Sequence, residues 1–267
     1  MPSFIVVGAS CGLGFAWLQY LSKDPRNTVI GLVRTTSVVE ERLAEEGFSN
    51  VHILHGDMSD HQSLSVAASS TSSILHDGAL DIIIVNGYTA MNETMKISPS
   101  GFASEPDLLH KDMHASLDVN VIGVVNSINA FLPLILRGRE KKIIVISTGG
   151  ADPEQAVAMS IPFQFTMCVM KAALNMAVAK FAAELKSQDV KVLALSPGVV
   201  ANAEAPPSAD DMEFFTTLLG TFKKAYPDWS GPMTPLESVE HQMKVIENLT
   251  KEDTGKFVSH WGNKQWL

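Results

Sequence analysis

Short, non-alternating apolar runs recur along the chain, separated by longer stretches with helical spacing. The runs are Phe4–Val7, Thr28–Val33, Val51–Leu54, Asp81–Val85, Lys142–Ile146 and Val190–Leu195, with a weaker one at Lys256–Val258. They are rich in Val and Ile, as strands buried on both faces of a parallel sheet are. Helical patterns occupy about 12–23, 36–46, 60–77, 111–136, 164–187 and 235–249. Strand–helix alternation this regular predicts an α/β fold, a doubly wound parallel sheet with helices on both faces. A sheet of about seven strands would use the whole chain, so one domain over residues 1–267 is expected.

Two segments fit neither pattern. One is 87–110, with Pro99, Gly101 and Pro106; the other is 199–234, with Pro206, Pro207, Pro227, Gly231 and Pro232 and a helix expected near 209–225. Both follow strands. Ligands bind beyond the carboxyl ends of such strands, so these segments are expected to wall a substrate cleft, the second as an insertion over it.

Composition narrows the partners. Lys plus Arg is 20 against 29 Asp plus Glu, a net charge of −9 without a basic cluster. That argues against nucleic acid and anionic membrane surfaces. No unbroken apolar run reaches about 18 residues, so no membrane span is expected. The chain opens straight into a strand pattern without a signal-like region, and it carries only Cys11 and Cys168. A reduced, cytoplasmic setting is the expectation. The eight histidines show no ligand spacing, and no metal is expected.

Candidate chemistry clusters after the strands. Gly8-Ala9-Ser10-Cys11-Gly12-Leu13-Gly14 joins the first strand to the first helix, where glycines admit a pyrophosphate and the helix N-terminus supplies N–H donors. Arg34 closes the second strand, where an arginine suits a 2′-phosphate and predicts NADP(H). Asp57 either bonds an adenine amino group or caps the helix beginning near Ser59; Met58 follows it. Asn86-Gly87 reads as a turn. Asn120 is an amide among valines, costly to bury without a partner or a task.

Together these residues resemble the short-chain dehydrogenase/reductase family over essentially the whole chain. GASCGLG matches TGxxxGxG, and Asp57 and Asn86-Gly87 match the adenine contact and the NAG turn. Asn120 matches the helix asparagine, IIVIST (Ile143–Thr148) the serine-bearing strand, Lys171 the lysine of YxxxK, and Ser196-Pro197-Gly198 the PG turn. The ending GKFVSHWGNKQW is similar to the C-factor/sniffer-type carbonyl reductase branch, in which fungal reductases of secondary metabolism are common. The resemblance implies a Rossmann-like fold, a nicotinamide cofactor contacted also by Val200 and Asn202, a small-molecule substrate and a homodimer or homotetramer. It also implies roles. The family's tyrosine protonates the nascent alkoxide, the lysine tunes that tyrosine, the serine polarises the carbonyl, and the asparagine holds a relay water. Lys171 and Asn120 are retained, and Ser147 or Thr148 takes the serine role, Thr148 being preferred.

The tyrosine position falls on Met167, and residues 89–225 contain no tyrosine. Tyr88 or Lys171 is the candidate substitute donor, although Tyr88 reads first as an ordinary loop aromatic; Tyr226 is a weaker candidate, and a substrate that needs no protonation, such as an iminium, would remove the demand. The expected function is NADPH-dependent reduction of a ketone, aldehyde or imine. A non-redox cyclase, isomerase or dehydratase, or a cofactor-binding protein with impaired catalysis, is the alternative. Cys168 is read as a small buried hydrophobe. Met159, Met167, Met170 and Met176 are expected around the cleft helix.

Overall fold

The structure is a computed structural model that describes residues 2–202 and 208–267. Its strands are β1 (Ser3–Val7), β2 (Thr28–Val33), β3 (Val51–His55), β4 (Ile82–Val85), β5 (Lys142–Ile146), β6 (Lys191–Ser196) and β7 (Phe257–Ser259). They form one parallel sheet in the order β3-β2-β1-β4-β5-β6-β7. The winding reverses between β1 and β4, and their carboxyl ends open a crevice there.

Helices α1 (Gly12–Ser22), α2 (Thr36–Glu46) and α9 (Pro235–Glu247) supply one face. On the other lie α3 (His61–Ile74), α5 (Gly123–Ile135) and α7 (Phe165–Leu185), with α4 (Pro106–Leu117) against α7. Each face buries its own apolar core, built around Ile5, Ile83 and Phe131 on one side and Val6, Trp17 and Ile84 on the other. Alternate residues of one strand thus feed both cores, which is why these strands are apolar throughout. Short α6 (Pro153–Met159) and α8 (Ala209–Ala225) complete the chain at the carboxyl edge.

Three expectations are corrected. Segment 87–110 is not loop to its end: α4 begins at Pro106, a residue that suits a first helical turn because it has no N–H to satisfy. The stretch 111–136 is not one regular helix. A π turn at Asp118–Ile122 joins α4 to α5, with Asn120 inside it. The run-length argument against apolar spans also fails. Pro106–Ile135 and Phe165–Gln188 are long and apolar enough to cross a membrane by length and composition. Counting unbroken runs overlooks windows interrupted by single polar residues. Both stretches cover the sheet, with Val124 and Ile128 from one and Leu174 and Val178 from the other in the core. Part of the 199–234 segment, 203–207 with Pro206 and Pro207, lies outside the described residues.

Candidate functional site

The glycine turn is built by close backbone approach. Gly8 holds φ +80°, and a side chain there would meet Gly87 Cα at 2.4 Å. Gly87 and Asn86 both donate their amides to Val7 O, at 2.9 and 3.0 Å. Asn86 Nδ2 donates to Gly8 O at 2.9 Å. The two turns at the switch point are therefore locked together. Helix α1 starts without a side-chain cap, since Cys11 makes no capping bond and the first turn carries no acid. Its leading N–H groups and dipole are left for an anion. Ser10 and Cys11 are exposed beside it. Leu13 and Met58 are buried in the two cores.

Arg34, one residue past β2, is exposed. A second guanidinium stands near the turn: Arg42 of α2 donates to Ser10 O at 3.2 Å and lies 3.8 Å over the Phe15 ring. No local pattern marks Arg42, because its relation to the glycine turn is made only by folding. Asp57 accepts from the Ser59 hydroxyl at 2.7 Å and amide at 2.9 Å, which hold its carboxyl below the ordinary range. It does not cap the following helix; Asp60 does, through Gln62 N.

Of the predicted catalytic residues, Lys171, Ser147 and Thr148 meet at the end of β5, with Tyr88 close to Lys171. Lys171 is buried, and its Nζ donates to Ile146 O at 2.7 Å. Burial pushes the ammonium down to about 8. The Tyr88 ring lies 5.7 Å from that nitrogen. Tyr88 keeps 51% of its surface exposed, and its partial burial, then Cys11, push the phenol up. Asn120 is fully buried with its amide spoken for. Nδ2 donates to Thr89 O at 2.7 Å, and Oδ1 accepts from Thr89 N at 2.8 Å. It thereby pins the residue next to Tyr88. Ser147 is buried and donates to Asn175 Oδ1 at 2.7 Å, whereas Thr148 lines a cavity of about 280 Å³.

Cys168 lines the same cavity, and burial pushes its thiol up to about 11, so it is no thiolate at neutral pH. Met167 is half-buried on α7. Met159 and Met170 are buried, but Met176 is 62% exposed and does not belong to the cleft, correcting that expectation. A larger cavity of about 390 Å³ lies against α9 and β7 and holds none of the predicted site residues. Among the described residues there is no cluster of metal-ligating side chains.

The Pro197-Gly198 turn is held from beneath. Ser238 Oγ of α9 donates to Pro197 O at 2.7 Å, and Gln242 Nε2 donates to Ser238 Oγ at 2.9 Å. Val200 pairs with Met233, and Asn202 packs over Gly12. His260 is 2% exposed under Gly198, with Nδ1 lacking a partner. Burial, and then His241, push its imidazole down to about 4. Unfolded, it titrates near the ordinary 6.5. As pH falls from about 6.5 to 4, the unfolded chain takes up a proton that the folded chain refuses, and stability drops by on the order of 3 kcal/mol. His260→Phe should flatten the loss of denaturant resistance between pH 7 and 4.5. Equal pH slopes for both proteins would rule out His260 as the source.

The family model described as short chain dehydrogenase matches residues 3–213. The chain is 40% identical over 269 residues to the short-chain dehydrogenase/reductase AacuF of Aspergillus aculeatus, covering 100% of both. It is 38% identical over 272 residues to the short chain dehydrogenase virK of Hypocrea virens, again over 100% of both. NADPH-bound carbonyl reductase from chicken fatty liver shares the fold, with a TM-score of 0.77 at 22% identity over 98% of this chain and 93% of that one. With the locked glycine turn, the buried lysine and the parallel sheet in place, these matches make the chain a member of the short-chain dehydrogenase/reductase family.

Proposed function

We propose that the protein reduces a small ketone, aldehyde or imine with NADPH, and that it does so without the family's tyrosine. The carrying observation is buried Lys171, bonded to Ile146 O beside Tyr88, with Met167 four residues before it on the same helix face. That position belongs to tyrosine in the family pattern, and a thioether neither ionises nor donates.

The cofactor reading rests on fit. The uncapped α1 N-terminus, with Arg42 against the glycine turn, suits a pyrophosphate, and exposed Arg34 suits a 2′-phosphate. Asn86-Gly87, Asp57, the Pro197-Gly198 turn, Val200 and Asn202 would complete the cradle. When bound, the nicotinamide supplies a hydride. Arg34→Ala should weaken NADPH binding by about 1–3 kcal/mol, the worth of a hydrogen bond to a charged group, and leave NADH nearly unaffected. Equal losses for both cofactors would contradict the assignment.

The remaining work falls to side chains. Thr148 faces the cavity and can donate its hydroxyl to a carbonyl oxygen; Ser147 is engaged elsewhere. Lys171 holds a proton at Nζ that is mobile near neutral pH. Asn120, bonded to Thr89, positions Tyr88. Absorbance at 340 nm with a carbonyl panel tests the reading. Turnover without NADPH consumption would instead support a non-redox catalyst.

The wider reading extends to surroundings. The 199–234 segment acts as the substrate insertion, since Phe222 of α8 lines the cavity. The similarity to fungal enzymes supports a task in a small-molecule, secondary-metabolite pathway. Exposed Leu117 and Ile122 beside α4 and α5, and Met176 on α7, support a homo-oligomer paired through these helices. A sedimentation mass of 28.9 kDa at micromolar concentration would refute the pairing.

A further inference from the structure

The cavity beside Thr148 has a wall that local sequence does not announce. Trp266 is 3% exposed and stacks on Phe257 of β7 at 4.4 Å between ring centroids. Its side chain lies so close over Gly149 that a methyl there would sit 2.9 Å from Trp266 Cβ. The turn that carries Thr148 is thus seated on Trp266, and Leu267 faces the cavity next to it. Trp261 Nε1 donates to Leu267 O at 3.3 Å, and Lys264 reaches the Asp152 carboxylate at 3.5 Å, so the tail is tied at several points.

The opposite wall comes from the α6–α7 connection and α8. Met159, Ile161, Phe163, Phe165 and Phe222 face the cavity. Helix α8 is held there by Phe214 on Phe163, at 5.6 Å, and by a 2.8 Å ion pair between Lys96 and Asp211. Polar lining comes from neutral groups, Thr148, Gln155, Gln164 and Ser196 among them. Among the described residues, no charged side chain lines this cavity. An anion placed here would lose its hydration without gaining a counter-charge. Flat apolar walls with a few amides and hydroxyls suit an uncharged ring system bearing neutral hydrogen-bonding groups.

Resting on the reductase reading for its chemistry, we propose that the substrate is a neutral, ring-bearing carbonyl compound seated between the α6–α7 connection and the C-terminal tail. Leu267 and Trp266 set how deep it can reach. Trp266 acts through Gly149 as a positioning residue; Leu267 limits size by contact.

The test uses the full-length protein and three probes: 1-tetralone, 9-fluorenone and 9-oxofluorene-2-carboxylate. Binding is measured by titration calorimetry with and without NADP⁺, at high salt so that the chain's net negative charge is screened. NADPH oxidation is followed in parallel. The expected result is that 9-fluorenone binds at least about tenfold more tightly than its carboxylate. Leu267→Ala should shift preference from 1-tetralone toward 9-fluorenone by severalfold. Equal or tighter binding of the carboxylate, or no binding of either neutral probe, would overturn the substrate class. An unchanged size preference in Leu267→Ala would overturn the role of the tail. The expected binding pattern without NADPH oxidation would uphold this inference and sink the reductase reading. Oxidation that favours the carboxylate would do the reverse.

Discussion

Met167→Tyr is expected to raise NADPH-dependent reduction of simple carbonyls by about 10²–10⁴-fold, the usual worth of a positioned general acid. A phenol there would lie one helical turn from Lys171, whose buried ammonium can lower the phenol's pKa by charge. Thr148 already faces the cavity. If the native task depends on a non-donating wall, the same variant should gain this generic activity and lose native turnover, because the new hydroxyl must be desolvated or bonded. Steady-state kinetics on 1-tetralone decide the first part. A variant that binds NADPH normally and gains nothing would show that residue 167 does not stand at the proton-donor position.

The fold was legible because its signals are local. Val and Ile runs without alternation, such as Ile82–Val85, have no stable place except a strand covered on both faces. What failed was also physical. Pro106 looks like a breaker until it is seen to open α4. Helix α6 has seven residues, too few to show a period. The π turn around Asn120 is invisible because one inserted residue leaves an apolar pattern apolar.

For the site, motif residues and their neighbours in sequence were readable, but partners brought in by folding were not. Arg42 reaches the glycine turn from α2. Trp266 seats a glycine more than a hundred residues away. Asp57 could be read two ways from sequence, and its bonds to Ser59 place it in a local turn while Asp60 takes the cap. Between Thr148 and Ser147, two hydroxyls at the end of one strand, sequence supplied only a preference for Thr148; the cavity beside Thr148 and the Asn175 bond of Ser147 arise from folding.

The proton itself should come from Lys171, and its signature is the direction of the pH profile. A donor works only while protonated, so kcat for carbonyl reduction should be flat below and fall as pH rises through about 8, where burial has brought this ammonium. Tyr88 is the rival. Its phenol is pushed up from an ordinary value already near 10, which makes it the weaker acid at neutral pH. Lys171→Met should therefore lower kcat by about 10²-fold or more, an amount set by the loss of general-acid catalysis. Tyr88→Phe should retain most turnover and keep the limb near 8. The converse pattern, with Tyr88→Phe down by two orders of magnitude and normal NADPH binding, would move the donor to the phenol. It would then leave Lys171 the role of a charge held 5.7 Å from that ring. A fall in both variants with the limb intact in neither would mean that the two act as one unit, joined across the end of β5, and a double variant losing no more than either single one would confirm it.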